Sequence, residues 1–153
     1  ETKNVQYKEE KVLEIQVKPG WKPGTRITFE AHGDEHPNRV AADMVFVVEE
    51  KPHDRFTRKG NNLHCVQVVT LTEALCGKRF VVKGMDGQDV AVDCSNDVIA
   101  PNFKKIIKNK GMPVQNKAGQ FGDLVIDFTV VFPKAPLTPA QKEKIQSAQL
   151  TYG

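Results

Sequence analysis

The stretch "PGTRITFEAHG", residues 23–33, lies over "PNFKKIIKNKG", residues 101–111, when the sequence is shifted against itself by 78 positions. Pro23 then meets Pro101, Arg26 meets Lys104, Phe29 meets Ile107 and Gly33 meets Gly111. A shift of 80 lays "DMVFVV", residues 43–48, over "DLVIDF", residues 123–128. Self-similarity at a nearly fixed period marks a copied structural unit. The period is about 80 residues, with a two-residue change of loop length inside it. "EEKPHDRF", residues 49–56, is the hinge between the copies.

Working outward, the repeated stretches alternate apolar and polar residues, the mark of a strand with one buried face. Leu13, Ile15 and Val17 alternate ahead of the first copy's stretch, and Ile27 and Phe29 alternate within it. The pattern predicts strands at 11–18, 25–31, 43–49, 62–69, 78–83, 89–94, 103–109 and 123–132. In the second copy Leu124, Ile126, Phe128 and Val130 share one face, with Asp127 and Thr129 opposite. That makes the 124/126/128/130 face the core. Between the first two predicted strands, "VKPGWKPGTRITF", residues 17–29, sets two Pro-Gly pairs around the only Trp. Pro presets φ at the second position of a turn and Gly accepts a positive φ at the third. This predicts a tight inter-strand corner of architectural role, with Trp21 folded over the core.

Helical signals are few. In "TLTEALCG" Thr70 and Glu73 stand at capping-box spacing and Gly77 is a stop. In "LTPAQKEKIQSAQL" Thr138 is the N-cap, Pro139 fits the first helical position and Gln141 completes a second box. The reading is a mainly β, mostly antiparallel chain with a helix running to its C-terminal end. The duplication also places the partners of strands 62–69 and 78–83 at or upstream of Glu1. It predicts a first copy that starts late, without its opening strand and most of its second.

The chain has 153 residues, 39% hydrophobic and 27% charged, with a net charge of +3. This is the composition of a soluble globular protein. No apolar run approaches the roughly 18 residues of a membrane span, and no signal peptide is visible at the start. The charge is too mild for a nucleic-acid binder. Lys104, Lys105, Lys108 and Lys110 read as a solvated strand edge. The three cysteines, Cys65, Cys76 and Cys94, are odd in number and lack C-x-x-C spacing. That argues against a disulfide framework and a structural zinc site, and for a reducing compartment, the cytosol or nucleus. Cys65 and Cys94 sit in apolar alternations and read as small core residues. His32 and His36 stand four apart in a Gly- and Pro-containing loop, which makes a poor metal pair. No constellation of catalytic groups stands out, so neither an enzyme, a metal nor a cofactor is expected.

Five motifs occur in order: "LEIQVKPGWKPGTRITF", "FVVEEKPHDRF", "LTEALCG", "MDGQ" and "GQFGDLVIDFTVVFP". Together they resemble the C-terminal substrate-binding and dimerisation region of J-domain co-chaperones, the forty-kilodalton heat-shock family. The resemblance covers essentially the whole chain. It implies two tandem β-sandwich domains of similar topology, residues 1–52 and 53–135, the first incomplete at its N-terminal end. A short dimerisation helix within 136–153 follows. The J domain, its His-Pro-Asp tripeptide and the cysteine-rich zinc region are absent from these residues, which points to the zinc-free subclass. "HPN" at 36–38 is a loop tripeptide.

The resemblance further implies a non-enzymatic binding module. Its partners would be unfolded client polypeptides and the acidic C-terminal tail of the seventy-kilodalton heat-shock chaperone, with no nucleic acid and no membrane. The family's groove phenylalanine aligns with Phe46, and a basic position favouring the acidic tail aligns with Lys51. On the residues alone, Phe46 matches Ile126 of the core face, so plain packing stays open for it. Val45 and Val47 expose an additional apolar patch, a common sign of a binding surface. The homodimer contacts would be Leu137, Ile145, Leu150 and Tyr152. Since one wall of the family's groove lies upstream of Glu1, this chain is expected to bind apolar peptides and acidic tails weakly or not at all. The alternative is a purely structural, dimerising β-sandwich scaffold.

Overall fold

A computed structural model describes residues 12–30 and 42–153. Its elements are β1 (Arg26–Phe29), β2 (Met44–Val47), β3 (Thr57–Lys59), β4 (Asn62–Thr70), α1 (Leu71–Cys76), β5 (Arg79–Lys83), β6 (Asp89–Asp93), β7 (Lys104–Ile107), β8 (Leu124–Val131) and α2 (Pro139–Ser147). The protein is mainly β, with three sheets among the described residues and a short C-terminal helix.

The repeat takes physical form as one hairpin built twice. β1 pairs antiparallel with β2 in the register Arg26↔Val47, Ile27↔Phe46, Thr28↔Val45, Phe29↔Met44. β7 pairs antiparallel with β8 as Lys104↔Asp127, Lys105↔Ile126, Ile106↔Val125, Ile107↔Leu124. A shift of 78 on the first strand and 80 on the second carries one register onto the other, pair by pair. A one-residue slip would move every side chain to the other face, so register is what a buried face specifies most strongly.

Beyond the shared hairpin the surroundings differ. The second edge of β8 carries β4, from Leu63↔Leu124 to Thr70↔Val131, and β3 lies beyond β4. The resulting sheet has the order β3-β4-β8-β7. The β5–β6 hairpin packs against it, with the Phe80 and Phe128 rings edge to face at 6.0 Å. Leu63, Val92, Cys94, Leu124 and Ile126 are buried between these layers, with Phe128 and Val130 packed at the margin. The expected core face is therefore the observed one. Val125, on the opposite face, is buried as well, flanked in register by Ile106 and His64.

One expected strand is corrected and two features are added. β4 and β8 run parallel, whereas the other four pairings are antiparallel. Alternation fixes which face is buried but not the direction of a neighbour; the parallel pair is reached through the long crossover that such pairs require. Residues 12–18 form no strand, although Leu13 and Ile15 are half-buried as the alternation implied. The short β3 was not foreseen. The ends of two predicted segments, at Lys11 and Ala31, and the loop holding His32, His36 and the HPN tripeptide fall outside the described residues.

Both capping boxes form. Thr70 Oγ1 accepts from Glu73 N at 3.2 Å, and Glu73 Oε1 accepts from Thr70 N at 2.9 Å. Thr138 and Gln141 repeat these distances at α2. α1 buries Ala74 and ends at Gly77. Lys78 Nζ lies 2.7 Å from Glu73 Oε2. This contact first, and the Thr70 amide second, hold the Glu73 carboxyl down to about 2. α2 buries no residue and ends at Ser147 instead of running on, because Gln149 turns to a left-handed φ of 53°. β7 is an edge strand, and its lysines and the one just beyond it are tied by ion pairs from Lys104 to Asp127, Lys105 to Asp97 and Lys108 to Asp123. That fits the solvated-edge reading.

Candidate binding site

The two Pro-Gly pairs form turns. Gly20 and Gly24 have φ of 86° and 89°, a region open to Gly at no steric cost. The second turn closes with Thr25 N donating to Lys22 O at 3.2 Å. It feeds directly into the β1–β2 hairpin, since Gly24 N donates to Val48 O at 2.9 Å and Val48 N to Thr25 O at 2.8 Å.

The first turn does something the sequence did not reveal. Gly20 is buried against the second copy, where an added Cβ would stand 2.5 Å from Gln115 N and 2.7 Å from Pro113 O. Arg58 of β3 donates from Nη1 to Trp21 O at 2.8 Å and from Nη2 to Gly20 O at 3.4 Å. The corner thus seats the chain on the second copy as well as turning it.

Between the corner, the β1–β2 hairpin and the Met112–Pro113 segment lies an apolar concavity of about 550 Å³. Ile15, Val17 and Trp21 line one side, Ile27, Phe46, Val47 and Val48 a second, and Met112 and Pro113 a third. Among the described residues Lys18 is the only charged one in the lining. Phe46 is half-buried, with its ring edge on to Phe29 at 5.7 Å. Its counterpart in the second copy, Ile126, is fully buried. Phe46 therefore packs against its own hairpin and also lines open space.

Of the residues singled out from the sequence, Phe46 and Val47 line this concavity, while Val45 and Lys51 are exposed outside it. Val45, Val47 and Met44 are exposed apolar side chains of β2, as the expected patch required. Trp21, Ile15, Met112 and Pro113 were missed as wall residues. The signal was present, since the sole Trp stood between two turns, but it had been assigned to architecture alone. At the C-terminus Leu137 is half-buried, and Ile145, Leu150 and Tyr152 are exposed.

A larger hollow of about 620 Å³ lies between β3, β4 and β5. Its lining is far more polar, and several of its groups are already engaged. Arg55 Nη1 donates to Lys83 O at 3.2 Å, His53 Nδ1 accepts from the Arg55 and Phe56 amides, and Asp127 pairs with Lys104. The apolar concavity suits an apolar ligand better. Among the described residues no group of three or more His, Cys, Asp or Glu is placed to hold a metal ion, and no helix is long and apolar enough to cross a membrane. Cys65 and Cys94 are buried, and burial pushes both thiols up, away from the reactive thiolate.

The duplicated hairpin is covered in one copy and open over an apolar hollow in the other. The model of the DnaJ C-terminal domain matches residues 1–133, and the chain belongs to that family. It is 40% identical over 142 residues to DnaJ protein homolog 1 of Drosophila melanogaster, covering 93% of this chain and 42% of that protein. It is 42% identical over 135 residues to DnaJ homolog subfamily B member 5 of Homo sapiens, covering 88% and 38%. Against Chaperone protein dnaJ 3 of Arabidopsis thaliana it is 39% identical over 140 residues, covering 91% and 33%. The chain thus spans less than half the length of these relatives.

Proposed function

We propose that this chain is the client-binding and dimerising part of a co-chaperone of the cytosol or nucleus, without catalytic activity. Its apolar concavity takes an extended apolar segment of an unfolded polypeptide, and the same surface takes the acidic tail of the seventy-kilodalton heat-shock chaperone. The observation that carries this reading is Phe46. In the register of a core residue it is only half-buried and lines open apolar space with Trp21 and Ile27. Binding would combine burial of apolar side chains with backbone pairing to β2, whose second edge has no strand partner among the described residues. Lys18 at the wall and Lys51 beyond β2 supply positive charge for an acidic tail.

Two features support the rest of the reading. The hairpin repeat is consistent with two tandem β-sandwich units, 1–52 and 53–135. A nine-residue helix that buries nothing of its own is marginal in water and gains from a partner surface. Residues 136–153 would pair two copies through Leu137, Ile145, Leu150 and Tyr152.

The test is titration of a fluorescein-labelled, leucine- and phenylalanine-rich decapeptide, and separately of a Glu/Asp-rich C-terminal peptide. Both should bind saturably, and the acidic peptide should weaken with added salt. Light scattering should give a dimer for the full chain and a monomer for one ending at Lys134. A dimer that takes neither peptide would favour the scaffold alternative.

A further inference from the structure

We infer that Arg58 is a positioning residue for the apolar concavity, holding its Trp21 wall in place from the second copy. The inference deepens the proposed function and rests on it for the binding consequence, though not for the geometry. Arg58 lies on β3, next to the turn into β4. Its guanidinium donates to three carbonyl oxygens: Trp21 O at 2.8 Å, Gly20 O at 3.4 Å and Gly60 O at 2.8 Å from Nε. Among the described residues it makes no ion pair. A half-buried guanidinium spent on backbone carbonyls 37 and 38 residues away fixes one segment against another.

The same turn also holds a second wall segment. Asn61 O accepts from Met112 N at 2.8 Å, and Met112 lines the concavity together with Trp21. The β3–β4 turn therefore ties two of the lining segments, Arg58 through the corner and Asn61 through Met112. Gly20 completes the seat, because its close approach to Pro113 and Gln115 leaves no room for a side chain. The planar guanidinium offers Nε and both Nη groups in a fixed fork, whereas a lysine ammonium offers one tip, so the two are not interchangeable here.

The experiment compares the full chain with Arg58→Ala and Arg58→Lys. Three readouts are acrylamide quenching of Trp21, the only Trp, affinity for the labelled apolar decapeptide, and the urea midpoint. Release of the wall should raise Trp21 quenching in Arg58→Ala and weaken peptide binding about tenfold, the scale of a lost charged-donor hydrogen-bond set. Arg58→Lys should fall between the two, and Gly20→Ala should reproduce the Arg58→Ala result from the other side of the seat. Unchanged quenching in Arg58→Ala overturns the clamp, whatever happens to binding. Raised quenching with unchanged affinity overturns the positioning role. Weakened binding that merely tracks a large fall in the urea midpoint, with full rescue by Lys, also overturns it. If the unaltered chain takes no peptide, the proposed function fails, and Trp21 quenching alone still decides whether Arg58 holds the corner.

Discussion

The β1–β2 and β7–β8 hairpins share one register and differ in what surrounds them. In the second, β8 is flanked on both edges and covered by the β5–β6 layer, so Leu124 and Ile126 are buried beneath that layer, and Val125 is buried on the other face beside Ile106 and His64. In the first, the aligned Met44 and Val45 are exposed and Phe46 is half-buried. The same local geometry thus yields a core in one place and a surface in the other. A repeat fixes strand pairing, and the neighbours decide whether a face is structural or available for binding. The composition follows this division: β8 places Asp127 where β2 has Val47.

The largest effect that would break the comparison lies in the buried hairpin. Ile126→Ala should destabilise the chain by about 2–5 kcal/mol, read as a lower urea midpoint with an unchanged slope. A loss under about 1 kcal/mol would mean the second core is not packed as described.

Hydrogen exchange should show the next difference. Amides paired across β1–β2 should exchange through local opening well ahead of those across β4–β8, because few buried apolar contacts hold the first pair. Equal protection would remove the contrast between the hairpins.

The helix caps give smaller effects. Thr70→Ala should cost about 1 kcal/mol in global unfolding, since α1 buries Ala74 in the core. Thr138→Ala should instead lower helical circular dichroism while leaving the main unfolding transition nearly unmoved, as α2 buries nothing.

The smallest effect concerns pH. The Glu73 carboxyl is depressed to about 2 in the folded chain, against about 4.3 when unfolded. A depressed acid stabilises the fold above its unfolded pKa, and the contribution fades as pH falls through the window from about 4 to 2. The difference in thermal midpoint between the native chain and Glu73→Gln should be constant above pH 5, shrink as pH falls from about 4 to 2, and lose its last part only below pH 2.

How much of this was legible follows from what each signal encodes. The hairpin repeat could be read in full, since Pro23, Arg26 and Phe29 keep their spacing against Pro101, Lys104 and Ile107. Both helix starts were legible, because a capping box is a contact between residues three apart. The parallel β4–β8 pair was not, as direction is set by a crossover with no local signature. Only half the site was visible. Phe46 and Val47 came from alternation and the family resemblance. The Trp21 wall depends on Arg58 and Gln115, residues distant in sequence that alternation cannot connect. The seating of Gly20 on Pro113 belongs to the same class of long-range contact.

The most direct measurement is Phe46→Ala, with peptide affinity and urea midpoint taken on the same preparation. The account predicts apolar-peptide binding weakened about tenfold, with the midpoint lowered far less than by Ile126→Ala. Unchanged affinity, or a midpoint loss as large as that of Ile126→Ala, would contradict it and make the first hairpin a second piece of core.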